Sequence, residues 1–137
     1  MRLALACALA ALASTAQAAT VTVQVSGVQA GGGQVYVGLC PTALQESSCT
    51  QGDQRAPRGG TMTFAFRGVA AGPLAVAVYQ DANGNGRLDR NALGVPSEPY
   101  GFSNDVGRLA PPTFAGARIE VREPATTIQV RLARFAQ

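Results

Sequence analysis

The sequence predicts an all-β domain, an antiparallel two-sheet sandwich with one long ordered loop. Three observations predict it. Apolar residues recur with period two in one segment after another, the pattern of half-buried strands. No stretch carries the 3.6-residue apolar period of a long helix. Glycine and proline, 16 and 8 of the 137 residues, punctuate the chain throughout. Each such strand has one apolar face, and stacking two sheets buries all of those faces together.

Residues 1–18 read as an export signal rather than as part of the fold. Arg2 gives the positive start, residues 3–13 form an uncharged Ala/Leu-rich run too short to span a bilayer, and Ala16-Gln17-Ala18 offers small residues for cleavage. The expected mature unit is a single secreted domain over residues 19–137, located in the periplasm. No second apolar run reaches membrane length, so no membrane span is expected.

In the mature chain Val21, Val23 and Val25 alternate with Thr22, Gln24 and Ser26. After Gly31-Gly32-Gly33, the pattern resumes with Val35, Val37 and Leu39, and again with Met62, Phe64 and Phe66. Residues 74–79 are apolar on both faces, which predicts a central strand. Ile119 and Val121 alternate with Arg118, Glu120 and Arg122, and Ile128, Val130 and Leu132 with Thr127, Gln129 and Arg131. Glu123-Pro124-Ala125 connects these last two strands, so they are expected to form a hairpin.

Composition removes several chemistries. The chain has no His, which excludes Ser-His-Asp and Cys-His catalysis and His-ligated zinc or haem. All 11 basic residues are Arg, so Schiff-base and Ser-Lys chemistry have no lysine to use. A net charge of +3, scattered along the chain, does not make a nucleic-acid stripe. Outside the signal the cysteines are Cys40 and Cys49. In an exported chain such a pair is expected to form a disulfide, and the spacing suits neither a C-x-x-C redox motif nor a zinc knuckle. Thr42 and Gln45 could cap a short helical turn inside the closed loop.

Two stretches lack the strand pattern. One is a polar segment over residues 41–60. The other covers residues 81–116 and holds Pro96, Pro99, Pro111 and Pro112 together with Tyr100, Phe102 and Phe114. Loops of that length are functional or disordered more often than not, and the aromatics argue that something orders this one. A cation is one candidate. Asp81, Asn83, Asn85, the Arg87 carbonyl and Asp89 fall at positions one, three, five, seven and nine of an EF-hand-type calcium loop, with Gly86 at position six and Leu88 at position eight as an anchor to the core. Position twelve is Ala92 where a bidentate Glu belongs, so Asn91 or Glu98 would have to complete the set. The expected affinity is weak, roughly 10⁻⁴ to 10⁻³ M. The other open reading is an Asn/Gly turn that holds itself together without metal.

Residues 75–81, Asn83-Gly-Asn-Gly-Arg-Leu-Asp89, Leu93-Gly-Val-Pro96, Glu98-Pro-Tyr-Gly-Phe-Ser-Asn104 and Pro111-Pro-Thr-Phe114 follow one another in this order. The series resembles a family of exported bacterial proteins catalogued as domain of unknown function 2141. The resemblance implies a small secreted sandwich of the immunoglobulin-like or prealbumin-like sort, with no established activity. The cysteine-bearing segment over residues 41–60 departs from the family's usual pattern.

Three classes of function compete. The first is a non-enzymatic envelope module with a weak calcium site. The second is a binding, inhibitor or adhesin protein that meets an envelope protein or polymer through residues 95–114, where Tyr100, Phe102, Ser103 and Asn104 are the candidate surface. A satellite core is the alternative role for those aromatics. The third is a hydrolase using Asp81, Asp89 or Glu98 as paired carboxylates.

Overall fold

Residues 18–135 are described by a computed structural model of the chain. The expected export segment lies outside them, except for Ala18, which opens the first strand. Val21, Val23 and Val25 line one side of β1 (Ala18–Val28) and are fully buried. β2 (Gln34–Cys40) buries Val35, Val37 and Leu39 in the same way. A polar strand, β3 (Gln51–Arg55), follows. β4 (Gly60–Ala70) buries Met62, Phe64 and Phe66, and β5 (Gly72–Asp81) buries Leu74, Val76 and Val78. After a long excursion come β6 (Tyr100–Phe102), the one-turn helix α1 (Phe114–Ala117), β7 (Ile119–Val121) and β8 (Ala125–Arg131).

The strands form two sheets. One has the order β4-β1-β8 and the other β3-β2-β5-β6, with β7 also paired to β5. Their inner faces interdigitate in a single core of valines, leucines and the β4 aromatics. The all-β sandwich read from the sequence is the fold. β5 is the central strand expected from its doubly apolar pattern, with β2 along one edge and β6 and β7 end to end along the other.

Four expectations are corrected. The described residues form eight strands, two more than the six segments read from the sequence, because β3 and β6 carry no period-two signal. The polar β3 is an edge strand with little of its own to bury. β7 and β8 are not a hairpin, since β7 pairs with β5 and β8 with β1. Period two fixes which side of a strand faces the core, but both sheets face that core, so the pattern leaves the sheet undecided. The pairing is also not wholly antiparallel, because β1 and β8 run parallel. β4 ends opposite the start of β1, at Ala70 and Ala18, and β7 lies beside the start of β5. The chain therefore changes sheet at the end where β1 begins, and the Pro124 carbonyl accepts the Thr20 amide there. Finally, the turn between the cysteines is a 3₁₀ turn over Glu46–Ser48, preceded by Gln45 with no side-chain cap.

Cys40 and Cys49 are joined in a disulfide, which draws residues 41–49 back over the outer face of the second sheet. Gly38 lies beneath it, with space for the Cys49 Cβ and Sγ above.

Candidate functional site

Asp81 ends β5 and is completely buried. Its Oδ1 accepts the amides of Gly84 at 3.0 Å and Asn85 at 3.2 Å, and its Oδ2 that of Gly86 at 2.7 Å. Gly84 and Gly86 take φ values of +73° and +79°, a region that glycine enters at little cost, and this lets the amides turn inward. Gly33 presses against the same point, where a Cβ would overlap the Asp81 carbonyl.

Asp89 gathers the other side chains of the loop. Asn85 Nδ2 reaches its two oxygens at 2.8 and 2.9 Å, Asn83 Nδ2 reaches Oδ2 at 2.5 Å, and Arg87 Nε lies 3.4 Å from Oδ1. The Asn85 and Asn83 amides, with Arg87 contributing less, hold the Asp89 carboxyl below the usual carboxylate range. Asn83 Oδ1 and Asn85 Oδ1 accept the amides two residues on, at 3.2 and 3.1 Å, so each also closes an Asx turn.

Glu98, nearly buried, clamps both ends of this loop. Its Oε1 accepts the Ala82 amide and its Oε2 the Asp89 amide, each at 3.0 Å. Asn91 does not join the group. Its Oδ1 caps the amides of Leu93 and Val95 in the next turn. Leu88 is half-buried and lines the outer face of the second sheet, so it does not anchor the loop in the core.

Among the described residues no group of three or more His, Cys, Asp or Glu side chains is placed to hold a metal. Amide oxygens would have to contribute. Each carboxylate suggested for a hydrolase, Asp81, Asp89 and Glu98, already accepts at least two hydrogen bonds.

The residues suggested as a binding surface divide. Tyr100 and Ser103 are buried, whereas Asn104 is exposed and Phe102 is intermediate. Tyr100 meets the Phe102 edge, gives its hydroxyl proton to the Gly107 carbonyl and carries the Arg108 guanidinium 4.9 Å above its ring. Ser103 bridges the backbones of β5 and α1. Asn104, at φ 60°, donates to the Gly116 and Arg118 carbonyls at 3.0 Å each. Asp105 pairs with Arg131 at 2.9 Å and Arg108 at 3.1 Å. Hydrogen bonds within the long excursion and to β5, α1, Arg118 and β8 therefore order it.

Sequence reasoning missed the outer face of the second sheet. Tyr36 on β2 and Tyr79 on β5 stack there, with centroids 4.8 Å apart and planes 8° from parallel. Tyr100 lies opposite Tyr79 on β6. The signal was present, since Tyr36 and Tyr79 occupy the outward phase of strands whose inward phase is valine. Burial pushes the Tyr79 phenol up to about 12, with the neighbouring Tyr36 adding to the shift.

A bacterial family described as an uncharacterized protein conserved in bacteria, DUF2141, matches residues 23–129, from β1 through the cation-type loop into β8. The chain belongs to the DUF2141 family. No curated protein and no solved structure matches it. In this DUF2141 chain, the match takes in the 81–89 loop, the Glu98 clamp and the tyrosine row. Among the described residues of the DUF2141 domain, no helix is long and apolar enough to cross a membrane.

Proposed function

We propose that the protein is an exported, non-catalytic sandwich module of the cell envelope whose 81–89 loop binds calcium weakly. The observation that carries this reading is a pair of buried carboxylates without a cation. Asp81 and Glu98 are 0% and 6% exposed, and among the described residues neither makes an ion pair. Buried charges are ordinarily paired or bound to metal. The Asn83 and Asn85 side chains converge on Asp89, in the loop whose amides Asp81 gathers. Turning the two amides over would exchange their Nδ2 donors for Oδ1 acceptors and give calcium the hard oxygens it prefers. The Arg87 carbonyl and water would complete the set.

Calcium is structural in this reading, and it stiffens a loop that hydrogen bonds already shape. Thermal melting in calcium and in chelator, with titration calorimetry, tests it. Calcium some thirty-fold above Kd stabilises by about 2 kcal/mol. Equal melting temperatures with no heat of binding would falsify the cation site. Asp89→Ala is expected to abolish the calcium response while leaving a folded protein.

A further inference from the structure

We propose that the outer face of the β3-β2-β5-β6 sheet binds a neutral oligosaccharide chain. A groove of about 1270 Å³ crosses this face. Pockets for single small molecules enclose roughly 300–1,000 Å³, so an extended ligand suits it better. All three tyrosines of the protein line this groove, and Phe102 and Phe114 join them. Phe64 and Phe66 are in the core between the sheets, and Tyr100 is buried at the groove's end. Tyr36, Tyr79, Phe102 and Phe114 thus stay partly exposed outside the core, where they contribute less to stability unless something covers them.

The groove is built from the register. Gly52, Gly38, Ala77 and Phe102 lie opposite one another across four strands, making a floor of small residues with an aromatic end. The adjacent row is Gln54, Tyr36, Tyr79 and Tyr100. The disulfide-held segment, with Gln45, Glu46 and Thr50, forms one wall. The calcium-type loop forms another through Arg87 and Leu88, and the Tyr79 hydroxyl donates to the Gly86 carbonyl at 3.4 Å.

Charge and chemistry select the occupant. The ionised side chains on this face are Glu46, Arg87 and Arg90, and Arg87 is already paired with Asp89, which leaves Glu46 and Arg90, one of each sign. A balanced lining gives no field to attract an acidic or basic polymer. The backbone groups of β2 and β5 are paired within the sheet, so a peptide lying on this face finds no ladder to extend. Two glutamines, Gln45 and Gln54, supply donors and acceptors together. Flat rings with apolar faces and hydroxylated edges match stacked tyrosines beside amides. A chain of neutral sugars has that chemistry.

Tyrosine emission reads the site directly, because the protein has no Trp and every Tyr lies on the groove. Cellohexaose, chitohexaose and maltohexaose are the probes, with oligogalacturonate and a polyproline peptide as charged and peptidic comparators. At least one neutral hexasaccharide is expected to change the emission. Tyr36→Ala should weaken that binding about tenfold or more, an aromatic anchor being worth at least 1.4 kcal/mol. Ala77→Gln should do the same by filling the floor, and it keeps the test available if Tyr36→Ala fails to fold. The proposal is overturned if no neutral hexasaccharide binds at roughly millimolar concentration, if only a comparator binds, or if folded variants bind as well as the parent. Each titration is run in calcium and in chelator. Binding that persists in chelator separates this groove from the fate of the calcium reading.

Discussion

The Ser103 hydroxyl accepts the Val76 amide proton at 3.0 Å and gives its own proton to the Ala117 carbonyl. On the side of β5 away from β2, Val76 lies between the stretches that β6 and β7 cover. β6 pairs with Ala77, Val78 and Tyr79, and β7 with Gly72, Pro73 and Leu74. Ser103 acts as a missing ladder residue between the two short strands. Ser103→Ala leaves a buried amide and a buried carbonyl unpaired, with an expected loss of about 2–3 kcal/mol. Urea unfolding measures it, and a loss below about 0.5 kcal/mol would show that the gap is closed by something else.

Glu98 holds the 81–89 loop at both ends through its two oxygens. Glu98→Gln keeps one acceptor oxygen, whereas Glu98→Ala keeps none. The expected order of stability is parent, then Gln, then Ala, with the Ala variant down by about 3 kcal/mol. Hydrogen exchange at the Ala82 and Asp89 amides should quicken in both variants. Unchanged exchange at either amide would remove the clamp.

β6 crosses close over β8. A Cβ at Gly101 would overlap the Arg131 carbonyl and crowd the Val130 side chain. Gly101→Ala is expected to destabilise by about 3 kcal/mol, the upper end for overpacking, because a backbone carbonyl cannot swing away. Gly32→Ala, with nothing near its Cβ, serves as the control and should stay within about 0.5 kcal/mol.

Arg131, and to a lesser degree Arg108, hold the Asp105 carboxyl below the ordinary aspartate value of 3.8. Its folded-state pKa is therefore depressed. The stability it contributes is present above 3.8 and lost as pH falls below that value through the lower folded one. The carboxylate is 48% exposed, so the contribution is expected to be under about 1 kcal/mol and to shrink with salt. Comparing acid unfolding of Asp105→Asn with the parent checks this. The two curves should converge in acid and separate above it.

The sequence made the sandwich legible because a buried face repeats every second residue. Val21, Val35, Phe64, Val121 and Val130 all announce themselves that way. What it left unread has physical causes. β3, Gln-Gly-Asp-Gln-Arg, has no apolar phase, and its identity as a strand comes only from β2 beside it. β6 is three residues inside a Pro/Gly-rich motif and needs β5 to exist. The 81–89 loop was visible because its donors and acceptors are close in sequence. The groove was hidden because Tyr36, Gly52, Tyr79 and Phe114 meet only after four strands have aligned. Ser103 resembled a surface residue, since nothing local says that it faces a gap in a ladder.

The parallel pairing of β1 with β8 has a kinetic side. Both neighbours of β1 come from later in the chain, β4 near its middle and β8 near its end. Val21 finds Phe66 on one side and Thr126 on the other. The first strand therefore has no partner in its own vicinity, and its sheet cannot close until nearly all the rest of the domain is available. Such long-range pairing predicts slow, cooperative folding, in which early segments stay extended until the last strand arrives.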